Sequence, residues 1–352
     1  MPFFFRRIWL LLRGVSLDRD HPPFDHLRSI EDPEEFVWTI LPHAARSFSV
    51  SILLLPEEAA RVAAVGYLYA RMLDTYEDLS PSRPEARLSM AGFADRFATG
   101  RPTVAPPAPT AKAPDARDQT HLLLVERCRL VDEVFLDLSP NAQKRVVQLV
   151  EEMALAMIDS SHIFEQQGGV MGDQEHVLEY CRGVMGLPAL FAMDLLLDAP
   201  TGEHASDALE ASELIQLANI TRDVEKDLQR GVAYHPALKP HLGSGGDGDV
   251  AEVVAGARHD LMRLALERVH SFRRLLHAVD LPRLSAARVA AVLMMLFTER
   301  HFGNYTVVAQ ISRPNRSRSA TTMMLVSLPA AFSPRWAERM LVRVEEDLLA
   351  TA

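Results

Sequence analysis

Apolar residues recur at spacings of three, four and seven along most of the chain, the period of α-helices that bury one face. The pattern runs through residues 57–79, 120–138, 141–166, 174–198, 206–230, 250–279, 284–311 and 334–350. These segments are rich in Ala, Leu, Arg, Glu and Met, which lose little freedom on entering a helix. Alternating β-branched runs between turn signals, the mark of half-buried strands, are nearly absent. The pattern predicts an all-α fold. GRPTVAPPAPTAKAPDARD (100–118) interrupts it with Pro and Ala and predicts a mobile surface insertion, not a domain boundary, because helices of similar composition flank it. HPALKPHLGSGGDGD (235–249) predicts a second loop. Its literal G-x-G-x-x-G at Gly243, Gly245 and Gly248 follows two prolines, carries Asp247 and Asp249, and has no βαβ unit around it. It reads as a linker, not a dinucleotide cradle.

Two of the predicted helices carry polar residues where a buried body needs none. Helix positions four and seven apart differ by only about 40° and 20° in direction. In YLYARMLDTYEDLS (67–80), Tyr67, Arg71, Asp74 and Asp78 therefore share one stripe. Glu77 lies beside it as a supporting or surface charge, and Val65, Leu68, Met72 and Leu79 take the packing face. In ELIQLANITRDVEKDLQRG (213–231), Gln216, Asn219, Asp223 and Asp227 form a second stripe among Leu214, Ile215, Leu217, Ala218 and Ile220. A lone acidic stripe is ordinarily a solvated face. Two of them, each on a helix that buries its body, make sense as facing walls of a cavity. Facing carboxylates repel unless a cation lies between them, and Asp and Asn oxygens suit Mg2+. Mg2+ fills out its shell with water and phosphate oxygens, and Arg71 and Arg222 would grip a polyanion. The residues predict a helical cavity that binds a diphosphate through Mg2+, with apolar walls for a hydrocarbon chain.

Charge narrows the partners. The 352 residues carry a formal net charge of −10, which argues against nucleic acid. Cys128 and Cys181 stand in unrelated contexts, with no metal spacing and no disulfide framework, which fits a reducing cytoplasm. The thirteen histidines form no metal-binding spacing, and His162 and His301 read as ordinary polar or core residues. At the N-terminus, MPFFFRRIWLLLRG is broken by Arg6, Arg7 and Arg13 and has no small-residue cleavage site. It has two readings: a segment packed on the domain, or peripheral contact with the inner membrane surface. The expected organisation is this segment (1–30) followed by one catalytic domain (31–352) that is a monomer or weak homo-oligomer.

With these residues in view, the chain resembles the squalene and phytoene synthases, the head-to-head branch of the trans-isoprenyl diphosphate synthases. RSFSVSILLLPEE (46–58) is similar to the family's S-[KR]-S-F segment, and YLYARMLDTYED (67–78) to its first aspartate-rich motif. YCRGVMGLP (180–188) resembles its Tyr-Cys helix, and QLANITRDVEKDLQRGVAYHP (216–236) its second aspartate-rich motif with the following Arg-Gly and aromatic-x-Pro. The resemblance spans most of residues 40–310. It implies an isoprenoid synthase bundle with Asp74, Asp78, Asn219, Asp223 and Asp227 as Mg2+ ligands. It implies that Arg71 and Arg222 hold diphosphate with Arg46, Ser47 and Gln216 nearby, and that Tyr67, Phe48 and Tyr180 line the reaction centre. The implied reaction joins two farnesyl diphosphates through presqualene diphosphate, with Mg2+ and, for squalene itself, NADPH. A phytoene or dehydrosqualene synthase, and a non-catalytic assembly factor of the same fold, are the alternatives; retention of both ladders favours an enzyme.

Ala45 and Lys226 depart from the family pattern, replacing its usual first Ser and the Glu of its second motif, without touching any of the five implied ligands. Val232 and His235 also depart from the common residues around that loop, and FTERHFGNYTVVAQISRPNRSRSATTMM (297–324) is only loosely similar. Asp-Thr-x-Glu-Asp in the first motif is closer to squalene synthases than to many phytoene synthases. Gly183 and Gly186 fit close helix packing as well as substrate clearance.

Overall fold

Helix follows helix from Phe24 onward in a computed structural model that describes residues 21–45, 47–109, 113, 115–197, 202–244, 250–279, 281, 285–309 and 320–350. The basic, aromatic segment 1–20 lies outside the described residues. Among those described there is no β-strand, only an isolated parallel bridge between Val170 and Ala233. The chain forms two compact units, residues 1–161 and 162–352.

The first unit contains α1 (Phe24–Ser29), α2 (Pro33–Ala45), α3 (Ser47–Leu54), α4 (Glu57–Leu79), α5 (Arg83–Asp95), α6 (Ala116–Glu126), α7 (Cys128–Leu136) and most of α8 (Pro140–Gln166). Four of these, α1, α2, α3 and α5, fall where no helical period was read. For α2 the reason is burial on nearly every side: from Phe36 to Ala45 every residue but Thr39 is buried, so no polar face marks the turn. For α5 a local signal exists. Ser82 Oγ accepts the Glu85 N–H and donates to the Glu85 carboxylate, with Pro84 in the first turn, a helix N-cap written in the sequence as Ser-Arg-Pro-Glu. The pattern over 120–138 is two helices, α6 and α7, with the break at Arg127.

Helix α4 sits at the centre of this unit, against α2, α3, α5, α6 and α7. Its inward residues Tyr69 and Tyr76 join Phe93, Phe97 and Phe135 in an aromatic cluster, with Tyr69 and Phe97 centroids 5.2 Å apart. Arg96 is fully buried in the same cluster. Its charge is met by Asp132 at 2.5 Å, which also accepts the Tyr69 hydroxyl at 2.8 Å, and its Nε donates to the Val104 carbonyl at 2.7 Å. Two more bonds reach the Pro/Ala-rich insertion: Thr103 N–H to the Arg96 carbonyl and Tyr76 hydroxyl to the Pro107 carbonyl. The core thus ties residues 103–107 to α4 and α5.

The second unit contains α9 (Gln174–Cys181), a π-helical turn (Arg182–Gly186), α10 (Leu187–Leu197), α11 (Ala205–Gln229), α12 (Ala251–Leu266), α13 (Ser271–Ala278), α14 (Ala286–Ala309), α15 (Ala320–Ser327) and α16 (Pro334–Leu349). Here α11 is central and packs on α10, the π turn, α12, α13 and α14. It stops at Gly231, whose φ of 73° is the left-handed conformation that ends helices, with its N–H returned to the Leu228 carbonyl. The chain then passes so close to Gly169 that a Cβ there would lie 2.6 Å from the Gly231 carbonyl. Two backbone bonds, Met171 N–H to Ala233 O and Ala233 N–H to Gly169 O, secure that crossing. The loop residues Gly245 and Gly248 lie outside the described residues. From Gln174 to Leu197 the chain is long and apolar enough to cross a membrane by length and composition, and 28% of that apolar window is buried.

Candidate active site

In the first unit α4 presents its polar stripe from a helix whose other residues between Val62 and Tyr76 are all buried. Tyr67, Arg71 and Asp74 are half-buried and Asp78 is exposed, while Leu68, Tyr69, Met72, Leu73, Thr75 and Tyr76 are buried. Arg71 joins the stripe together. One nitrogen donates to the Tyr67 hydroxyl at 2.9 Å and another pairs with Asp74 at 3.0 Å. Its Nε is buried and has no hydrogen-bond partner among the described residues. A buried N–H without an acceptor is costly, so Arg71 is an anion donor with capacity in reserve. Burial works against its charge, but the Tyr67 oxygen, Asp74 and Asp78 outweigh it and hold the guanidinium more firmly protonated than usual. The same burial raises the Asp74 carboxyl to about 6, with Arg71 and Arg117 opposing and Asp78 adding to the rise. Phe48, on α3, lies against Tyr67 with ring centroids 6.1 Å apart. Arg46 lies outside the described residues, and of Ser47 only its backbone place at the start of α3 is described.

In the second unit Gln216, Asn219, Arg222, Asp223 and Asp227 are all half-buried on α11, between buried Leu214, Leu217, Ala218, Ile220, Thr221 and Val224. The guanidinium of Arg222 forks onto Asp223 (2.8 Å from Nε to Oδ1) and also donates to Asn219 Oδ1 at 3.1 Å. Asn219 in turn donates to Gln216 Oε1 at 3.2 Å. His301 on α14, given no role by its sequence, belongs to this neighbourhood. Burial lowers its pKa to about 4, helped by Arg222 and Arg300 and opposed by Asp223, so it is neutral at pH 7. Nothing in its sequence context signals this, because the proximity arises from α14 packing on α11.

Tyr180 is nearly buried and stands in an aromatic triad with Phe164 and Tyr234, the two tyrosine rings 5.2 Å apart. Tyr234 is the aromatic of the aromatic-x-Pro sequence, a signal that was legible without being assigned a role. Just after Tyr180 comes the π turn, a rare form that recurs at functional sites. Gly186 closes it where a Cβ would meet Leu209 at 2.7 Å and Ser212 at 3.2 Å, so close packing on α11 accounts for this glycine. Behind the ladder, Glu213 is buried between two arginines, Arg182 of the π turn (2.5 Å) and Arg268. The sequence gives no sign of this triad.

Among the described residues no three His, Cys, Asp or Glu side chains converge as a metal centre would. The donor chemistry is nonetheless that of a hard cation: half-buried carboxylate and amide oxygens with no sulfur or imidazole among them. Each ladder holds a carboxylate neutralised by a guanidinium, Asp74 by Arg71 and Asp223 by Arg222.

A squalene/phytoene synthase family model matches residues 41–301, which include both ladders and the π turn. The chain belongs to the squalene/phytoene synthase family. No curated protein matches it. Among solved structures it is similar to the squalene synthase TcSQS in complex with the ligand E5700, at 19% identity and a TM-score of 0.70, covering 92% of this chain and 93% of that one. A second TcSQS complex, with BPH1237, matches at 18% identity and 0.67, covering 90% and 92%. A dehydrosqualene synthase matches at 16% and 0.52, covering 93% and 99%. These likenesses establish the shared helical fold.

Proposed function

We propose that this chain is a Mg2+-dependent prenyltransferase that condenses two prenyl diphosphates head to head. Farnesyl diphosphate is the leading substrate, presqualene diphosphate the intermediate, and squalene or a related C30 compound the product. The observation that carries the reading is Arg71, a half-buried side chain that shares a stripe with Asp74 and whose buried Nε has an N–H left over for an anion. Family membership supports the reaction class. On α11, Arg222 likewise pairs with Asp223.

In this reading Asp74, Asp78, Asn219, Asp223 and Asp227 hold Mg2+, which when bound stabilises the departing diphosphate electrostatically. The chain's own groups do the rest. Arg71 and Arg222 turn from their carboxylates to phosphate oxygens, with Arg46, Ser47 and Gln216 nearby, and their charge steadies the leaving group. Phe48, Tyr67 and Tyr180 offer aromatic faces to passing carbocations. As the cyclopropane ring of presqualene diphosphate closes, a C–H bond of the coupled cation breaks, and the released diphosphate or a tyrosine takes that proton. NADPH serves as reductant if squalene is the final product.

The test is to supply farnesyl diphosphate and Mg2+ and assay released diphosphate, then extract and weigh the products with and without NADPH. Diphosphate release with an NADPH-dependent C30 hydrocarbon is the expected result. A C30 carotenoid precursor formed without NADPH would assign the chain to a dehydrosqualene synthase instead, and a C40 product formed only when a C20 prenyl diphosphate replaces farnesyl diphosphate would assign it to a phytoene synthase. No release from any prenyl diphosphate would overturn the enzyme reading and leave a non-catalytic assembly role.

A further inference from the structure

Large apolar side chains left in water are scattered over most proteins, and singly they mean little. Leu88, Val104, Leu136, Leu155 and Leu349 are of that kind here. Three others fall within eight residues: Leu325 is 62% exposed, Leu328 38% and Phe332 75%, the last being the most exposed large hydrophobe described. They lie along one continuous stretch, where α15 passes into a 3-10 helix at Leu328–Ala331 that ends before Pro334. The turn is held to α16 by the Trp336 indole, which donates to the Val326 carbonyl at 3.0 Å. Trp336 is itself half-buried, and the Arg339 guanidinium lies 5.8 Å from its ring centroid.

The two charged side chains at the rim of this face, Arg335 and Arg339, are both cationic. Arg335 and Arg339 are exposed, and neither is ion-paired among the described residues. The nearest acid in sequence, Glu338, faces away, 2.6 Å from His277 and 3.6 Å from Arg273. From Arg300 to Ala337 the sequence has five arginines and no Asp or Glu, in a chain whose formal net charge is −10; Arg313, Arg316 and Arg318 of the five lie outside the described residues. Such segregation is what an anionic partner would select against a background that repels it.

We infer that this face, with Leu325, Leu328 and Phe332 at its tip and Trp336, Arg335 and Arg339 at its rim, docks on an anionic phospholipid surface. Apolar tip residues enter the acyl boundary, the indole takes the headgroup level where its ring and N–H are both served, and the arginines meet lipid phosphates. A protein partner of neutral surface would leave the arginines uncompensated. Lipid binding of this face is independent of which reaction the ladders carry out.

The test is sedimentation of the full chain with phosphatidylcholine vesicles made with and without phosphatidylglycerol, alongside light scattering of the protein alone. Binding is expected with phosphatidylglycerol and much weaker without it. Phe332→Ser should lower the partition coefficient roughly tenfold or more, from the lost burial of one aromatic ring. Arg335→Gln and Arg339→Gln should each lower it about fivefold, and only on the anionic vesicles. Because these side chains are exposed, circular dichroism and diphosphate release should be unchanged in every variant. Failure of the wild-type chain to sediment with anionic vesicles would overturn the inference. So would binding that survives Phe332→Ser but is lost on Phe4→Ser with Trp9→Ser, which would place the contact on the N-terminal segment. A dimer that Phe332→Ser converts to monomer, without vesicle binding, would show that a second copy covers the face.

Discussion

Behind the α4 stripe lies an aromatic core, Tyr69, Tyr76, Phe93, Phe97 and Phe135, with one buried arginine answered by Asp132. Behind the α11 stripe lies a network of charge, with Glu213 buried between Arg182 and Arg268, and Arg258 donating from Nη2 to both Glu225 oxygens and from Nε to the Thr221 carbonyl. Both helices carry a carboxylate and a guanidinium side by side, half-buried. The comparison shows that one surface chemistry can stand on two foundations. Packing resists displacement through many weak contacts, whereas a buried ion triad does so through few strong ones. Losing one partner of the triad leaves uncompensated charge inside the unit, so damage there is concentrated in single residues.

The largest effects should come from the stripes themselves. Asp74→Ala and Asp223→Ala should each lower turnover by a factor of roughly a hundred to a thousand or more, with the helical fold retained. Diphosphate release and circular dichroism check both parts, and normal turnover in either variant would remove that residue from the ligand set. One step smaller are the foundations. Phe97→Ala should cost about 3–5 kcal/mol by leaving a cavity, and Glu213→Ala about 3 kcal/mol by stranding two arginines, one of them with an exit to solvent. Denaturant midpoints measure both. If Glu213→Ala proved neutral, the contrast between the two foundations would collapse.

A subtler difference concerns protons. Asp74 titrates near 6 in the fold against an ordinary 3.8. The folded metal-free protein therefore holds a proton that the unfolded chain releases, and ionising Asp74 opposes folding as pH rises from about 4 through 6. Asp74→Asn should stabilise the metal-free protein at pH 7 by about 2 kcal/mol or less, and the gain should vanish near pH 4. Paired melts at the two pH values test this. No gain at pH 7 would mean that the Arg71 pair offsets the burial of Asp74 in full. The smallest effect is at the edge of the α4 packing, where Ser82→Ala should remove the α5 cap at a cost of about 1 kcal/mol, read from the same midpoints.

Much of this molecule could be read along the chain. The polar ladders at 67–78 and 216–227 interrupt apolar helical periods, and periodicity is local, so α4 and α11 emerge from the sequence within a residue or two of their ends. Helices α2 and α3 were silent for the opposite reason, since burial on most sides erases the alternation that reveals a helix. The π turn was hidden because a single wider turn leaves the surrounding apolar pattern intact.

Residue type and helical period sufficed to establish which side chains share a stripe and what ligands that stripe could hold. They were silent on partnership. Arg71 serving both Tyr67 and Asp74 with one N–H to spare, Glu213 caught between arginines 31 and 55 residues away, and His301 brought beside Arg222 all depend on the folded chain. The physical reason is that periodicity encodes direction around one helix, whereas burial, desolvation and charge pairing are set by whatever the other helices bring into contact with it.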